Sequence, residues 1–229
     1  MKIVIAPDSY KESLSAAEVA QAIEKGFREI FPDAQYVSVP VADGGEGTVE
    51  AMIAATQGVE RTAWVTGPLG EKVKACWGMS GDGKTAFIEM AAPGAGAAGG
   101  MGAALMAFLG AELRSGIEIV TAALNLEEHI HDCTLVVTGE GRIDSQSIRG
   151  KVPIGVANVA KKYHKPVIGI AGSLTHDVGI VHHYGIDAVF SVLTRIVTLE
   201  EAFRGAFDNI YRASRNVAAA LAIGMRSAG

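Results

Sequence analysis

The stretch Val136–Pro153, VVTGEGRIDSQSIRGKVP, changes character within a few residues. The apolar run Leu135-Val136-Val137 gives way to Gly139, Glu140, Gly141, Arg142 and Asp144. Gln146, Ser147, Gly150 and Lys151 follow, and Pro153 is placed to open a helix. A strand that ends in glycines, with cations and a helix N-terminus beyond it, is how an α/β protein builds an anion site. The pattern predicts a strand over Thr134–Thr138, a polar loop over Gly139–Lys151 and a helix over Pro153–Tyr163. The competing reading is a surface network in which Glu140, Arg142, Asp144 and Lys151 neutralise one another. Exposed ion pairs contribute only ~0–1 kcal/mol, which is a weak reason to stud such a network with glycine.

The same βα grammar extends in both directions. Ile3–Ala6 is a short apolar run closed by Pro7, and Ser15-Ala-Ala-Glu18 is a capping box that opens an amphipathic helix. Tyr36–Val41 reads as the second strand, and Asp43 is placed to cap the helix after it. Downstream, Pro166–Ala171 and Ala188–Val192 read as strands. Thr198-x-x-Glu201 caps one long C-terminal helix from about Leu199. Between these blocks, Thr62–Thr66, Lys72–Trp77 and Thr85–Met90 are separated by Gly67-Pro68-Leu69-Gly70 and Ser80-Gly81-Asp82-Gly83, which is hairpin chemistry. The expectation is an α/β fold: a mainly parallel, Rossmann-like or flavodoxin-like three-layer sheet with helices on both faces, plus a small antiparallel meander at about 60–90. Residues 1–229 read as one domain, with halves 1–92 and 93–229 contributing to one sheet.

Bulk properties narrow the function. Glycine is 28 of 229 residues, above the usual ~7%, and the excess gathers at the ends of apolar runs. The net charge of −5 argues against nucleic acid, whose binding needs a basic face. Cys76 and Cys133 lie too far apart in sequence for a metal motif and read as free thiols. MKIVIAP is a strand rather than a signal peptide, and no stretch has the ~18–20 apolar residues of a membrane span. A cytoplasmic location, with no membrane partner, is therefore expected.

Loops that follow parallel strands gather at the carboxyl edge of the sheet, where ligands bind. Besides Gly139–Lys151, four segments qualify. Pro7–Ser13 offers Asp8, Ser9 and Lys11. Val41–Thr48 offers Asp43 with Gly44, Gly45 and Gly47, and is either a helix cap or a backbone cradle. The run Ala91–Gly102, with Gly99 and Gly100, is either a linker or an anion loop. Gly172–Thr175 is placed to close the site, with His176 beside it.

Together with PDSYKESLSA (Pro7–Ala16) and VADGGEGT (Val41–Thr48), the opening stretch resembles the bacterial glycerate kinase family, the class that lacks a Walker-type phosphate loop. The resemblance runs through the whole chain. Family members are substantially longer, and a large middle portion is missing here, with the break near Ala92–Pro93. The resemblance implies ATP-dependent phosphorylation of glycerate to a phosphoglycerate, the 2-isomer, with Mg²⁺. Arg142 and Lys151 would clamp phosphate or the glycerate carboxylate, supported by Lys11, and Asp43 or Asp144 would hold Mg²⁺ or accept the hydroxyl proton. Asp8, Ser9, Gly44, Gly45, Gly99, Gly100, Gly139, Glu140 and Ser147 would complete the substrate and phosphate contacts. A chain lacking the middle portion is expected to fall short of full activity. The alternative is a non-catalytic α/β scaffold, engineered or decayed, with residual anion or nucleotide binding.

Overall fold

The structure, a computed structural model, describes residues 1–44, 47–66, 70–88, 106–108, 110, 115–148 and 150–227. The chain forms two compact units, one from Met1–Val41 with Asn125–Gly229 and the other from Ala42–Leu124. The Ala91–Gly102 run, including Gly99 and Gly100, lies outside the described residues, as does Gly45.

The first unit is a five-stranded parallel sheet. Its strands are β1 (Lys2–Ile5), β2 (Gln35–Ser38), β6 (Leu135–Ile143), β7 (Val167–Leu174) and β8 (Ala188–Ser191), in the spatial order β2-β1-β6-β7-β8. Both halves of the sequence therefore share one sheet, as expected. Renumbered within the sheet, the order is 2-1-3-4-5, that of a flavodoxin-like fold. The chain leaves β1 towards one side and returns at β6 on the other, so the topological switch point lies between β1 and β6. In such sheets the ligand crevice opens outside the carboxyl ends of those two strands.

Alternation along the strands separates the two faces. Ile3, Ile5, Leu135, Val137, Ile168 and Ile170 share a core with Val19, Ile23 and Phe27 of α1 (Ala16–Arg28) and with Ile210, Ala213 and Val217 of α7 (Ala206–Ser227). Val4, Val136 and Val167 are equally buried and point the other way, where α5 (Val152–Lys162) packs on β6 and β7. Fully burying each such aliphatic side chain contributes about 1.5–3 kcal/mol. Helices α1 and α7 approach closely at Gly26, where an added Cβ would lie 2.5 Å from the Tyr211 carbonyl oxygen. The Ser15/Glu18 and Thr198/Glu201 capping boxes are both formed.

Of the boundaries that differ from the sequence reading, three change the description of an element most. The C-terminal helix is two helices, α6 (Leu199–Arg204) and α7, broken at Gly205. Strand β6 does not stop at Thr138 but runs to Ile143, and β7 runs to Leu174. The two strands extend together, with Arg142 opposite Ser173 and Ile143 opposite Leu174. Glycine weakens a strand's own preference, but continued pairing and the full burial of Ile143 override it.

The second unit contains α2 (Thr48–Thr56), α3 (Gly116–Ala123) and an antiparallel meander of β3 (Val59–Thr66), β4 (Lys72–Met79) and β5 (Ala86–Phe87). The short helix α4 (Leu126–Ile130) opens the return to the first unit. Asp43 is not the N-cap of α2. That position is Gly47, at a φ of 87°, and no side chain caps it. The Thr48 hydroxyl instead accepts from the Gly44 amide at 3.0 Å. Gly44 has a φ of 100°, and an added Cβ there would lie 3.1 Å from the Gly116 Cα. A Cβ on Gly116, at the start of α3, would lie 2.4 Å from the Asp43 carbonyl oxygen and 2.6 Å from the Gly44 Cα.

Candidate active site

The β1–β6 ladder continues beyond the end of β1. The Ala6 amide donates to the Val137 carbonyl and the Asp8 amide to the Gly139 carbonyl, both at 2.8 Å. The Thr138 hydroxyl, fully buried, donates to the Ala6 carbonyl at 2.7 Å. Asp8 is thereby held at the switch point, buried, with its carboxylate accepting from the Ser9 amide at 2.7 Å. A tight turn follows, in which Tyr10 and Leu14 exchange backbone hydrogen bonds at 2.8 and 2.9 Å, leaving Lys11 exposed.

Tyr10 is a site component that the sequence reading missed. Its ring belongs to the core, and its hydroxyl donates to the Ile170 carbonyl at 2.8 Å. Burial and the nearby Glu140 carboxyl raise the phenol's pKa, so it stays protonated and anchors the loop. The available signal was an aromatic ring alone in an otherwise polar loop. Tyr10 also explains one feature of the Gly139-Glu140-Gly141 run. Gly139 and Gly141 lie on the face where the Tyr10 loop crosses β6, with Tyr10 atoms 3.5 to 3.6 Å from the Cβ positions these glycines lack.

Glu140 and Arg142, in turn, share the other face. Glu140 is buried and accepts from the Ser147 hydroxyl and, at 3.0 Å, from the Lys151 ammonium. Lys151 is the residue before α5, which positions it there. Asp144, also buried, accepts from Arg142 Nε at 3.1 Å and from the Gln146 amide at 2.8 Å. Ser147 Oγ accepts from the Asp144 amide at 3.2 Å, so it links the Glu140 carboxylate to the backbone at Asp144. The cations differ in access. The Arg142 side chain is 63% exposed and Lys151 33%, so Arg142 is the cation better presented to an incoming anion.

Asp177, after β7, is a second residue that the sequence reading passed over. Hydrogen bonds from the Ser145 and Thr175 hydroxyls hold its carboxyl down at about 2. It ties the loop after β6 to the segment after β7. A Thr-x-Asp spacing is too common at turns to have singled it out.

Burial drives the Glu140 carboxyl above its usual value. The hydrogen bonds from Ser147 and Lys151 and the charge of Lys151 oppose that rise, and Asp144 adds to it. A carboxyl raised on folding lowers stability as pH climbs from the ordinary 4.5 through the folded value, because the unfolded chain releases the proton first. Lys151→Met is expected to push Glu140 higher still and to cost about 1–3 kcal/mol at neutral pH, since a buried acceptor loses its donor. Carbon-detected carboxyl titration and urea unfolding would measure both. A Glu140 titrating at or below 4.5 in the variant contradicts this account.

The first unit thus gathers Asp8, Ser9, Lys11, Gly139, Glu140, Arg142, Asp144, Ser147 and Lys151 at the carboxyl end of β1 and β6. Asp43 and Gly44 belong to the second unit. Among the described residues, no group of three His, Cys, Asp or Glu is arranged to hold a metal ion, and no helix is long and apolar enough to cross a membrane.

The model of the glycerate kinase family matches residues 3–93 and 91–222. This chain belongs to the glycerate kinase family. Glycerate 2-kinase of Escherichia coli K12 is 54% identical over 381 residues, covering 100% of each chain. Glycerate kinase of Bacillus subtilis is 34% identical over 373 residues, covering 96% of this chain and 98% of its own. Among solved structures, a glycerate kinase 2 from Salmonella typhimurium LT2, described as putative, superposes with a TM-score of 0.82 at 38% identity and covers 99% of both chains. An alignment of 381 positions against 229 residues leaves 152 positions of the Escherichia coli kinase without a counterpart here. Identity of 54% over those 381 positions is about 206 matches, so roughly nine in ten residues of this glycerate kinase homologue are unchanged.

Proposed function

We propose that this chain is the phosphate-binding body of an ATP-dependent glycerate kinase, acting on the glycerate 2-hydroxyl and reduced in turnover by the positions it lacks. The observation that carries the reading is the clustering of Arg142, Asp144, Glu140, Ser147 and Lys151 beside Asp8 at the switch point. Phosphoryl transfer demands little covalent chemistry of a protein and much positioning and charge stabilisation. Arg142 supplies the accessible cation, with Lys11 on the neighbouring turn, and Lys151 adds positive charge while holding Glu140. Asp144 is the carboxylate in this unit best placed to face Mg²⁺ or the attacking hydroxyl. Asp43 is the counterpart candidate in the second unit. Hard oxygen donors suit Mg²⁺, and the Asp8 and Asp144 carboxylates are of that type. When bound, the ion would neutralise charge on the transferring phosphoryl group.

The near-identity of the retained residues to the Escherichia coli kinase supports a body kept intact rather than one decayed by scattered substitution. Phosphate or ATP binding, followed by calorimetry, tests the site. Arg142→Ala is expected to weaken phosphate binding by about 10- to 100-fold, the equivalent of a charged hydrogen bond of ~1.5–3 kcal/mol. Lys151→Ala should weaken it less, because that ammonium already serves Glu140. Binding insensitive to both substitutions would overturn the site.

A further inference from the structure

We propose that the segment Leu193–Leu199 seats the nucleobase of ATP, an inference that rests on the kinase reading and extends it to the other end of the nucleotide. The segment follows β8, whose parallel orientation brings its end to the same edge as the ends of β1 and β6. Val192 is buried in the core and its amide bonds the Ala171 carbonyl at 2.9 Å, which fixes the start of the segment. Beyond its far end, within α6, the Phe203 carbonyl accepts from the Ser13 hydroxyl of the Lys11 turn at 3.4 Å. The chain on either side of the segment is therefore tied to the edge that carries the cations.

Four of its seven residues are apolar, interleaved with Thr194, Arg195 and Thr198. Leu193 is 38% exposed, Leu199 68% and Ile196 fully exposed, all within seven residues. None of these side chains belongs to the buried core, which Val192 joins. Single exposed apolar residues are ordinary, but a local group beside convergent polar groups marks a binding site. Polar groups are at hand. The Leu193 amide bonds the Ser191 hydroxyl at 3.2 Å, which in turn donates to the Gly172 carbonyl at 3.3 Å. A nucleobase has apolar faces and a polar rim, which such a surface matches. Adjacent strands lie about 4.8 Å apart, and Arg142 stands two residues beyond the β6 position level with the end of β8, so the two are separated by about 12 Å. That separation is comparable with the reach of a nucleotide from its phosphates to its base. A single ligand can then touch Arg142 and the apolar segment together, which an isolated phosphate or glycerate cannot do.

The test compares ATP with inorganic tripolyphosphate, which presents the phosphates without the base. Calorimetry on the full chain should find ATP at least tenfold tighter than tripolyphosphate. The double variant Leu193→Ser with Ile196→Ser should abolish that preference and leave tripolyphosphate binding unchanged. Arg142→Ala should weaken both ligands. If tripolyphosphate binds but ATP gains nothing over it, or if the double variant leaves the preference intact, the nucleobase seat is wrong and the cation site stands. If neither ligand binds, the kinase reading fails and the inference fails with it. Sedimentation velocity covers the remaining occupant: a dimer dispersed by the double variant, with ATP affinity unaltered, would make the segment a contact between two copies and overturn the proposal.

Discussion

Purified chain given D-glycerate and MgATP is expected to release ADP roughly 10²–10⁴-fold more slowly than the full-length Escherichia coli kinase. The estimate comes from positioning. Holding reactants in line contributes ~7–11 kcal/mol of a barrier, and forfeiting half of it at ~1.4 kcal/mol per decade gives that range. The expected cause is the 152 positions without a counterpart here; the two family matches, 3–93 and 91–222, meet at residues 91–93. The Gly139–Lys151 cluster needs only β6, the Tyr10 turn and α5 to form, so anion binding should outlast turnover. A coupled ADP-release assay, run beside a chain with the middle segment restored, measures the difference. Turnover equal to that of the full-length enzyme, lost in Asp144→Ala, would show that the retained body suffices.

Gly139→Ala and Gly141→Ala, two residues apart in one strand, are expected to have opposite outcomes. A Cβ at Gly139 would lie 2.0 Å from the Ile170 carbonyl oxygen and 3.5 Å from the Tyr10 hydroxyl. Ile170 is the paired residue on β7, and its carbonyl accepts from Tyr10. The strands must separate or the Tyr10 anchor must break. Overpacking costs about 1–3 kcal/mol and a lost hydrogen bond about 0.5–1.5, so a loss of about 2–4 kcal/mol is expected. Against a typical total of about 5–15 kcal/mol, that is a large fraction. At Gly141 the nearest atom, Tyr10 Cα, is 3.6 Å away, an ordinary contact. Alanine there should be neutral or stabilising by up to about 1 kcal/mol, because it narrows the unfolded ensemble. Urea unfolding of both variants provides the check, and equal destabilisation would refute the account of why this strand carries two glycines.

Much of this protein was determined by its sequence alone. Local rules suffice where neighbours in the chain make the structure. Ser15 with Glu18 and Thr198 with Glu201 specify helix starts, and the glycine- and proline-bearing turns specify the meander. The ordered motifs Pro7–Ala16, Val41–Thr48 and Val136–Pro153 identify the family, because their residue order is specific even though no single motif is. Tertiary structure decided what depends on distant partners. The length of β6 and β7 came from their pairing with each other, against the glycines in both. The N-cap position of α2 went to Gly47, in a left-handed conformation, rather than to Asp43, and Thr48 binds back to Gly44. The strand order 2-1-3-4-5 brought Asp8 beside Glu140, more than a hundred residues away, and no spacing in the sequence encodes that approach. Packing alone placed Tyr10 inside the core and let Lys151 neutralise Glu140 rather than stand open as Arg142 does. Charge pattern names the residues a site can use, whereas burial and contact across the sheet decide which of them face a ligand.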